Sequence, residues 1–462
     1  MRPFPYRAAL ACGCALLARP ALAASDPAIS QIRDELKALE QGRLDDERRI
    51  QDLEARLRAA EQKAQNAEAH AASAEAQAQA QIQAAVAAPA VPSPAEQGGA
   101  PSNANAFNPA IGVVLDGKFG ATQRDPRTFA IAGFPKDETM HPERGFFLGE
   151  SELNANANVD DLFFGNLTAS LEERDGNVDV SLEEAFIQTL AMPYGLQVTA
   201  GRFFSAIGYL NAVHAHADDF ADRPLAYQAF LADQYGDDGL RLTWLAPTPF
   251  FLQFGAEGFR GTSFPAQGAR HNGVGTKTVF AKVGGDIGED VSWQGGLSYF
   301  QGGAASRETG DLPDVFRGQT ELGVAHLVVK WAPGGNPVQR NLKFQTEIFR
   351  EHPHGLFDGA RLVRTSYGLY GQLVYQFLPQ WRVGYRYDWL TAGGVSAALA
   401  GTTVDDQGHD AHRHSLMVEY DHSEFSRIRL QYNRDESRPG HPDNQGILQY
   451  TVSMGAHGAH AF

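Results

Sequence analysis

The chain has 462 residues with 39 Lys or Arg and 55 Asp or Glu, which gives a formal net charge of −16 at pH 7. Nucleic-acid-binding surfaces are basic, so this balance argues against a nucleic-acid partner. No later stretch is apolar over the ~20 residues that a transmembrane helix needs, which excludes helical membrane spans.

Residues 1–23 predict a signal peptide. Arg2 and Arg7 precede a short apolar run, and Ala21-Leu22-Ala23 has the small-x-small form of a cleavage site. Cleavage there would remove both cysteines of the chain, Cys12 and Cys14, which suits an oxidising compartment such as the periplasm.

Residues 24–85 predict a helix that forms a short periplasmic coiled coil. Apolar residues recur with a 3.5-residue spacing, broken once near Gly42 and fading into alanines. A single solvated helix, or disorder after Lys63, is the alternative. Residues 86–109 are rich in Pro and Ala and predict an extended linker. The apolar seam consists of Ile29, Ile32, Leu36, Leu39, Ile50, Leu53, Leu57 and Ala60.

The remaining residues, 110–462, change to a two-residue period. Between Glu150 and Val159, polar and apolar side chains alternate, and Asp160-Asp161 forms a tight turn before a second alternating run. This pattern predicts β-strands with one polar and one apolar face.

We predict sixteen such strands, joined by alternately short and long connections. That alternation is typical of outer-membrane barrels, which have short periplasmic turns and longer outer loops. The expected fold class is therefore all-β, a transmembrane antiparallel β-barrel of about 16 strands preceded by an α-helical coiled coil, with both ends in the periplasm. The predicted strands are 111–122, 145–159, 162–173, 178–190, 194–204, 238–246, 249–260, 276–286, 290–301, 318–332, 341–351, 364–378, 380–391, 413–422, 425–435 and 446–462.

Two local motifs support a resemblance to a known family. They are Ala200-Gly201-Arg202-Phe203, which precedes a long insertion, and the stretch from Val383 to Asp388. With the signal peptide, coil, linker and barrel, they make the chain resemble the trimeric substrate-specific porins of the phosphate-porin and dicarboxylate-porin type. The resemblance implies a homotrimer associating through coil and barrel, and a loop at 205–237 that folds into the pore.

The inserted loop is acidic, unlike the Arg- and Lys-lined constriction of anion-selective members of that family. An acidic ring favours cations, so we expect a cation-biased pore. The candidate constriction residues are Arg202, Asp218, Asp219, Asp222, Arg223 and Asp233.

Histidines accompany acids in the predicted outer loops and suggest a metal site. Imidazole and carboxylate groups suit zinc or a similar divalent cation, although a solvated polar loop is the simpler interpretation. The candidate ligands are His214, His216, Asp218, His409, His412 and His414.

The leading functional hypothesis is an outer-membrane porin for passive diffusion of small hydrophilic solutes, with outer-membrane lipid as its surroundings. The alternatives are a protein that binds or takes up zinc-like metal ions, and a structural envelope anchor. Neither Gly-x-Ser-x-Gly nor His-Glu-x-x-His occurs, so we predict no catalytic residues and no required cofactor.

Overall fold

The structure, a computed structural model, describes residues 109–455 apart from 137–139, 175, 268–272, 310–313 and 441. The predicted signal peptide, coiled coil and linker lie outside these residues, as do His457, His460 and Phe462. No helix in the described part of the chain is long and apolar enough to cross a membrane.

The described residues form a single antiparallel sheet that closes on itself, because β1 pairs with β18 on one side and with β2 and β3 on the other. The strands are β1 (Ala110–Thr122), β2 (Gly145–Leu148), β3 (Ser151–Asn158), β4 (Phe163–Arg174), β5 (Asn177–Thr189), β6 (Leu196–Phe204), β7 (Gly236–Leu245), β8 (Phe251–Phe259), β9 (Thr276–Ile287), β10 (Val291–Thr309), β11 (Asp314–Trp331), β12 (Asn341–Phe357), β13 (Ala360–Val363), β14 (Ser366–Leu378), β15 (Trp381–Thr391), β16 (Ala411–Ser423), β17 (Ser426–Glu436) and β18 (Asp443–Gly455).

These segments occupy 16 positions around the barrel. β2 and β3 both pair with β1 and form one interrupted strand, and β13 and β14 both pair with β12 in the same way. The predicted closed barrel of 16 antiparallel strands is therefore confirmed.

The predicted strand bounds leave long loops at 302–317 and 352–363, and both of these predictions are wrong. Residues 302–317 mostly continue the β10–β11 hairpin, and 352–363 mostly continue β12 into β13. The strands extend because their inward side chains pack against a connecting segment between β15 and β16, so that they bury apolar area instead of ending at the rim. This cluster contains Ala304, Phe316, Phe357, Leu362, Leu399 and Val404.

The two faces of each strand differ as an aqueous interior and an apolar exterior require. On β17, the outward Ile428, Leu430 and Tyr432 are 42%, 59% and 46% exposed, whereas the inward Arg429 and Gln431 are each 1% exposed. Exposed aromatic side chains stand near the ends of the strands at the short turns, as in an interfacial girdle. These include Phe163, Trp244, Phe250, Phe251, Trp381 and Phe425.

The long insertion between β6 and β7, residues 205–235, lies inside the barrel. Its one α-helix, α1 (Leu225–Leu231), buries six of its seven side chains. They pack with inward aromatic side chains of the wall, including Phe349 and Tyr370. We call residues 205–235 the inner loop. The insertion thus enters the lumen, as the resemblance to porins led us to expect.

Candidate functional site

Asn211 ties together the two ends of the inner loop. Its side-chain amide nitrogen donates to the carbonyl oxygens of Ser205 and Tyr235, each at 2.8 Å, and its amide oxygen accepts from the Tyr235 N–H at 2.7 Å. Asn211 is fully buried, so losing these bonds would leave polar groups without water. These hydrogen bonds therefore hold the two ends of the inner loop, Ser205 and Tyr235, close to each other.

Glu347 of β12 holds the N-terminal part of the inner loop against the barrel wall. Its carboxylate accepts hydrogen bonds from the backbone N–H groups of Tyr209 and Leu210 at 3.0 and 2.9 Å. The hydroxyls of Tyr227 and Tyr370 donate to it as well, at 2.9 and 2.7 Å. This contact could not be predicted from the sequence, because Glu347 is one of several inward polar residues on an alternating strand.

The acidic tip of the inner loop is neutralised by basic side chains of the wall. Asp222 Oδ1 lies 2.8 Å from Arg386 Nη2, and its Oδ2 lies 3.2 Å from Arg413 Nη1. Gln431 and Asn433 donate further hydrogen bonds to it. Burial alone would raise the pKa of Asp222, but Arg413 and Arg386 hold it well below its usual range.

The two neighbouring acids have different environments. Asp219 lies 2.9 Å from Lys343 Nζ, and this cation lowers its pKa against the opposing effect of burial. Burial raises the pKa of Asp218 to about 6, although Arg223 Nε stands 2.7 Å away and acts in the opposite direction. Asp218 therefore titrates close to neutral pH, whereas Asp219 and Asp222 remain ionised.

The tip of the inner loop lies between two cavities in the barrel. One, of about 460 Å³, is lined by the loop-side ends of the wall strands and by Asp218 and Phe220. The other, of about 430 Å³, lies at the short-turn side and is lined by Asp219. The segment 218–220 thus forms the partition between the cavities.

The loop-side cavity has an acidic lining, with eight carboxyl groups against five Lys or Arg side chains. Of the predicted constriction residues, Asp218, Asp222, Arg223 and Asp233 line it. Arg202 lines it too, and pairs with Asp238 at 3.3 Å in an exposed position. Five of the eight acids are glutamates outside the inner loop, and none of them was among the predicted pore residues. The acids are Glu143, Glu150, Glu172, Glu173, Glu183, Asp218, Asp222 and Asp233, and the bases are Lys118, Arg174, Arg202, Arg223 and Arg413.

The structure divides the predicted metal ligands into two sets. His214 and His216 lie on the inner loop, against glutamates of the wall. Asp218, expected beside them, pairs with Arg223 instead. His412 and His414 lie on β16, on the face opposite to that of the buried Arg413 and Ser415.

The second set has other partners. His412 Nε2 lies 3.2 Å from Glu436 Oε2, and His414 Nδ1 lies 2.7 Å from the Tyr385 hydroxyl. His409 Nε2 lies 2.8 Å from the carbonyl oxygen of Glu436. Alternation therefore carries the β16 histidines away from the lumen, so that the two sets do not share a site.

No protein-family model matches the chain. A protein of Aquifex aeolicus (strain VF5), described as uncharacterized, is 31% identical over 396 residues, which covers 78% of this chain and 81% of that protein.

Several solved structures are similar at low identity. OprB of Pseudomonas putida at high pH is 13% identical, with 75% of this chain and 94% of that chain covered and a TM-score of 0.48. An anion-selective porin from Comamonas acidovorans is 10% identical, with 75% and 99% covered and a TM-score of 0.47. Salmonella typhi OmpF in complex with daunomycin is 12% identical, with 76% and 99% covered and a TM-score of 0.47. At these values the fold assignment rests on the strand pairing of this chain itself.

Proposed function

We propose that this chain, which belongs to the same family as the Aquifex aeolicus protein, is a porin-like channel for passive diffusion of small hydrophilic solutes, with a bias toward cations. The observation that carries the proposal is the acidic lining of the loop-side cavity in a closed barrel. The outward apolar side chains suit a lipid environment, and we place the barrel in the bacterial outer membrane.

The cation bias depends on the wall more than on the inner loop. The ion pairs of Asp219 and Asp222 compensate their charges, so they add little to the net field along the path. Once Asp222 is set against Arg413 and Asp218 against Arg223, the loop-side cavity keeps five glutamates, including Glu172 and Glu173 of β4, against three bases. Fixed carboxylates in a low-dielectric passage raise the local concentration of cations and repel anions.

Assembly as a homotrimer is part of the same proposal. The outward face of the barrel would supply one contact and the predicted coil at 24–85 the other. Crosslinking of the full chain in outer-membrane vesicles, compared with a variant lacking residues 24–85, tests this: a trimer that persists without the coil assigns assembly to the barrel alone.

The channel is tested by planar-bilayer recording of the refolded full chain in a KCl gradient. We expect discrete conductance steps and a reversal potential on the cation side. Glu172→Gln/Glu173→Gln should move the reversal potential toward zero. The matched control, Asp161→Asn/Glu424→Gln, removes two exposed acids at the short turns that line neither cavity, and it should leave the potential unchanged.

Two outcomes would overturn parts of this proposal. An anion-side reversal potential would remove the cation bias but keep the channel. A folded protein that gives no conductance would reject the channel and favour the structural envelope anchor.

A second candidate function is binding or uptake of zinc-like metal ions. It is favoured by one observation, the group of donor atoms that Glu150, Glu152, His214 and His216 bring within 4.8 Å of one another. Uptake of radioactive zinc into liposomes carrying the barrel, compared with potassium flux, tests this candidate. Zinc flux no greater than that expected from potassium conductance would leave metal uptake without support.

A further inference from the structure

Two pairs of side chains meet where the inner loop touches the wall at β3. His214 precedes the short 3₁₀ turn Ala215–Ala217 and His216 lies within it, and both imidazoles contact Glu152 of the wall. Glu150 and Glu152 stand one residue apart in the same manner at the start of β3. Glu152 Oε1 lies 2.6 Å from His216 Nδ1 and 3.2 Å from His214 Nδ1.

Two further acids of β5 complete the surroundings of His214. Glu183 Oε2 lies 3.3 Å from His214 Nδ1, and Glu184 Oε2 lies 3.4 Å from His214 Nε2. Four carboxylates therefore surround two imidazoles, in a place where the side chains of Glu152 and His216 are only 3% and 5% exposed. Such an excess of buried negative charge is costly unless a cation compensates it.

The hydrogen bonding at this place is incomplete. His214 Nδ1 and Glu183 Oε2 are both buried, and neither makes a well-aligned hydrogen bond. A buried polar atom without an aligned partner is destabilising. Ligand atoms that face one another at 3.3 Å without an aligned hydrogen bond are a second observation, independent of the residue types, in favour of an ion between them.

We infer that this cluster is a site for a divalent transition-metal ion of the zinc class, with His214, His216 and Glu152 as its central ligands and Glu150 or Glu183 as the fourth. Imidazole nitrogens and carboxylate oxygens are ordinary zinc ligands. Tetrahedral coordination with bonds of about 2.0–2.1 Å separates ligand atoms by about 3.3 Å. The distances of 3.2 and 3.3 Å around His214 Nδ1 already have this value, whereas the 2.6 Å between Glu152 Oε1 and His216 Nδ1 would lengthen when an ion binds.

The ion has a path to the site. Glu150, Glu183 and Ala215 line the loop-side cavity, so the outermost ligands face the same space as the proposed permeation path. His216 and Glu152 lie deeper, where water is excluded and the binding of an ion is strengthened. A metal ion would thus arrive from the loop side and stop at the wall.

The site joins the inner loop to a part of the wall that is separate from the strands of its Asp222 ion pairs. Arg386 and Arg413, on β15 and β16, hold Asp222, whereas the metal ligands connect the loop to β3 and β5. A bound ion fastens the second side of the loop and neutralises part of the acidic wall. The binding claim stands alone, but its consequence for conductance rests on the proposed channel function.

The site is tested on the refolded full chain after removal of any affinity tag and treatment with EDTA. We expect isothermal titration with zinc to show a saturable site, and cobalt to give the visible absorption of tetrahedral coordination. His214→Gln/His216→Gln should weaken this binding at least about tenfold, since loss of even an outer-shell partner of a metal ligand costs 10–100-fold. The matched control, His412→Gln/His414→Gln, removes a pair with the same spacing on the outer face and should bind as the wild type does.

Equal binding by the wild type and the His214→Gln/His216→Gln variant would overturn the inference, and so would loss of binding in the control alone. If that variant fails to fold in a gel-shift assay, Glu152→Gln replaces it and carries the same expectation. Potassium conductance separates the two proposals. Zinc binding without conductance keeps the site and rejects the channel. Conductance without zinc binding, unchanged when zinc is added, keeps the channel and rejects the site.

Discussion

The ion pairs of Asp222 allow a quantitative prediction about the inner loop. Asp222→Ala removes one carboxylate from contact with Arg386 and Arg413, at 2.8 and 3.2 Å. Breaking a buried pair by deleting one partner costs about 3–5 kcal/mol. The lower end applies here, because Arg386 keeps Asp388 at 3.0 Å and Arg413 keeps Asp435 at 3.7 Å.

A loss of about 3 kcal/mol raises the undocked fraction of the inner loop about 100-fold, since 1.4 kcal/mol corresponds to a factor of ten. Limited chymotrypsin digestion in detergent measures that fraction, because the buried Phe220 and Phe230 become cleavable only when the loop leaves the wall. We expect the cleavage rate of Asp222→Ala to rise about 100-fold, and its single-channel current to become noisier.

The control is Asp238→Ala, which breaks the Arg202–Asp238 pair at 3.3 Å, where the side chains are 33% and 51% exposed. Exposed pairs contribute about 0–1 kcal/mol, so this variant should be digested nearly as slowly as the wild type. Equal cleavage rates for Asp222→Ala and Asp238→Ala would refute the claim that the Asp222 ion pairs hold the loop.

Three further predictions concern the exterior, the core and the titration of the lumen. Leu430→Arg places a charge near the middle of the outward face of β17 and should reduce folding stability in liposomes by about 2–4 kcal/mol, whereas Ile428→Arg, nearer the strand end, should cost less; equal losses would contradict a lipid-facing belt. Phe230→Ala empties a fully packed position of α1 and should weaken loop docking by about 3–5 kcal/mol in the chymotrypsin assay, compared with no change for the exposed Phe250→Ala. Burial raises the pKa of Asp218 from 3.8 to about 6, so the folded state binds this proton more readily than the unfolded state. As the pH falls through about 6, Asp218 loses its negative charge and its contribution to the stability of the folded state improves. Cation selectivity in the bilayer should therefore decline between about pH 7 and pH 5, and Asp218→Asn should flatten that part of the profile; an unchanged profile would show that another group sets it.

The alternation of side chains along the sequence predicted the barrel well. Sixteen strands were expected and sixteen positions are present, with most boundaries within two or three residues of the predicted ones. The pattern is reliable because each barrel strand meets an apolar and an aqueous surface at once, so the period of two is imposed on every strand locally. The failures at 302–317 and 352–363 arise where a tertiary contact, with Leu399 and Val404, takes the place of water.

The same local alternation could not predict which charges meet. Asp222 and Arg386 are 164 residues apart, and His216 and Glu152 are 64 apart, so their contacts depend on which strands stand beside the inner loop once the barrel has closed. The acidic loop and its His214/His216 pair were visible in the sequence, but their partners were not. The sequence by itself determined the strands, their inward and outward faces and the insertion that enters the lumen, because these follow from neighbours along the chain. Only the tertiary structure decided that the loop acids are neutralised and that wall glutamates face the histidines, because closure of the sheet sets distances across the lumen.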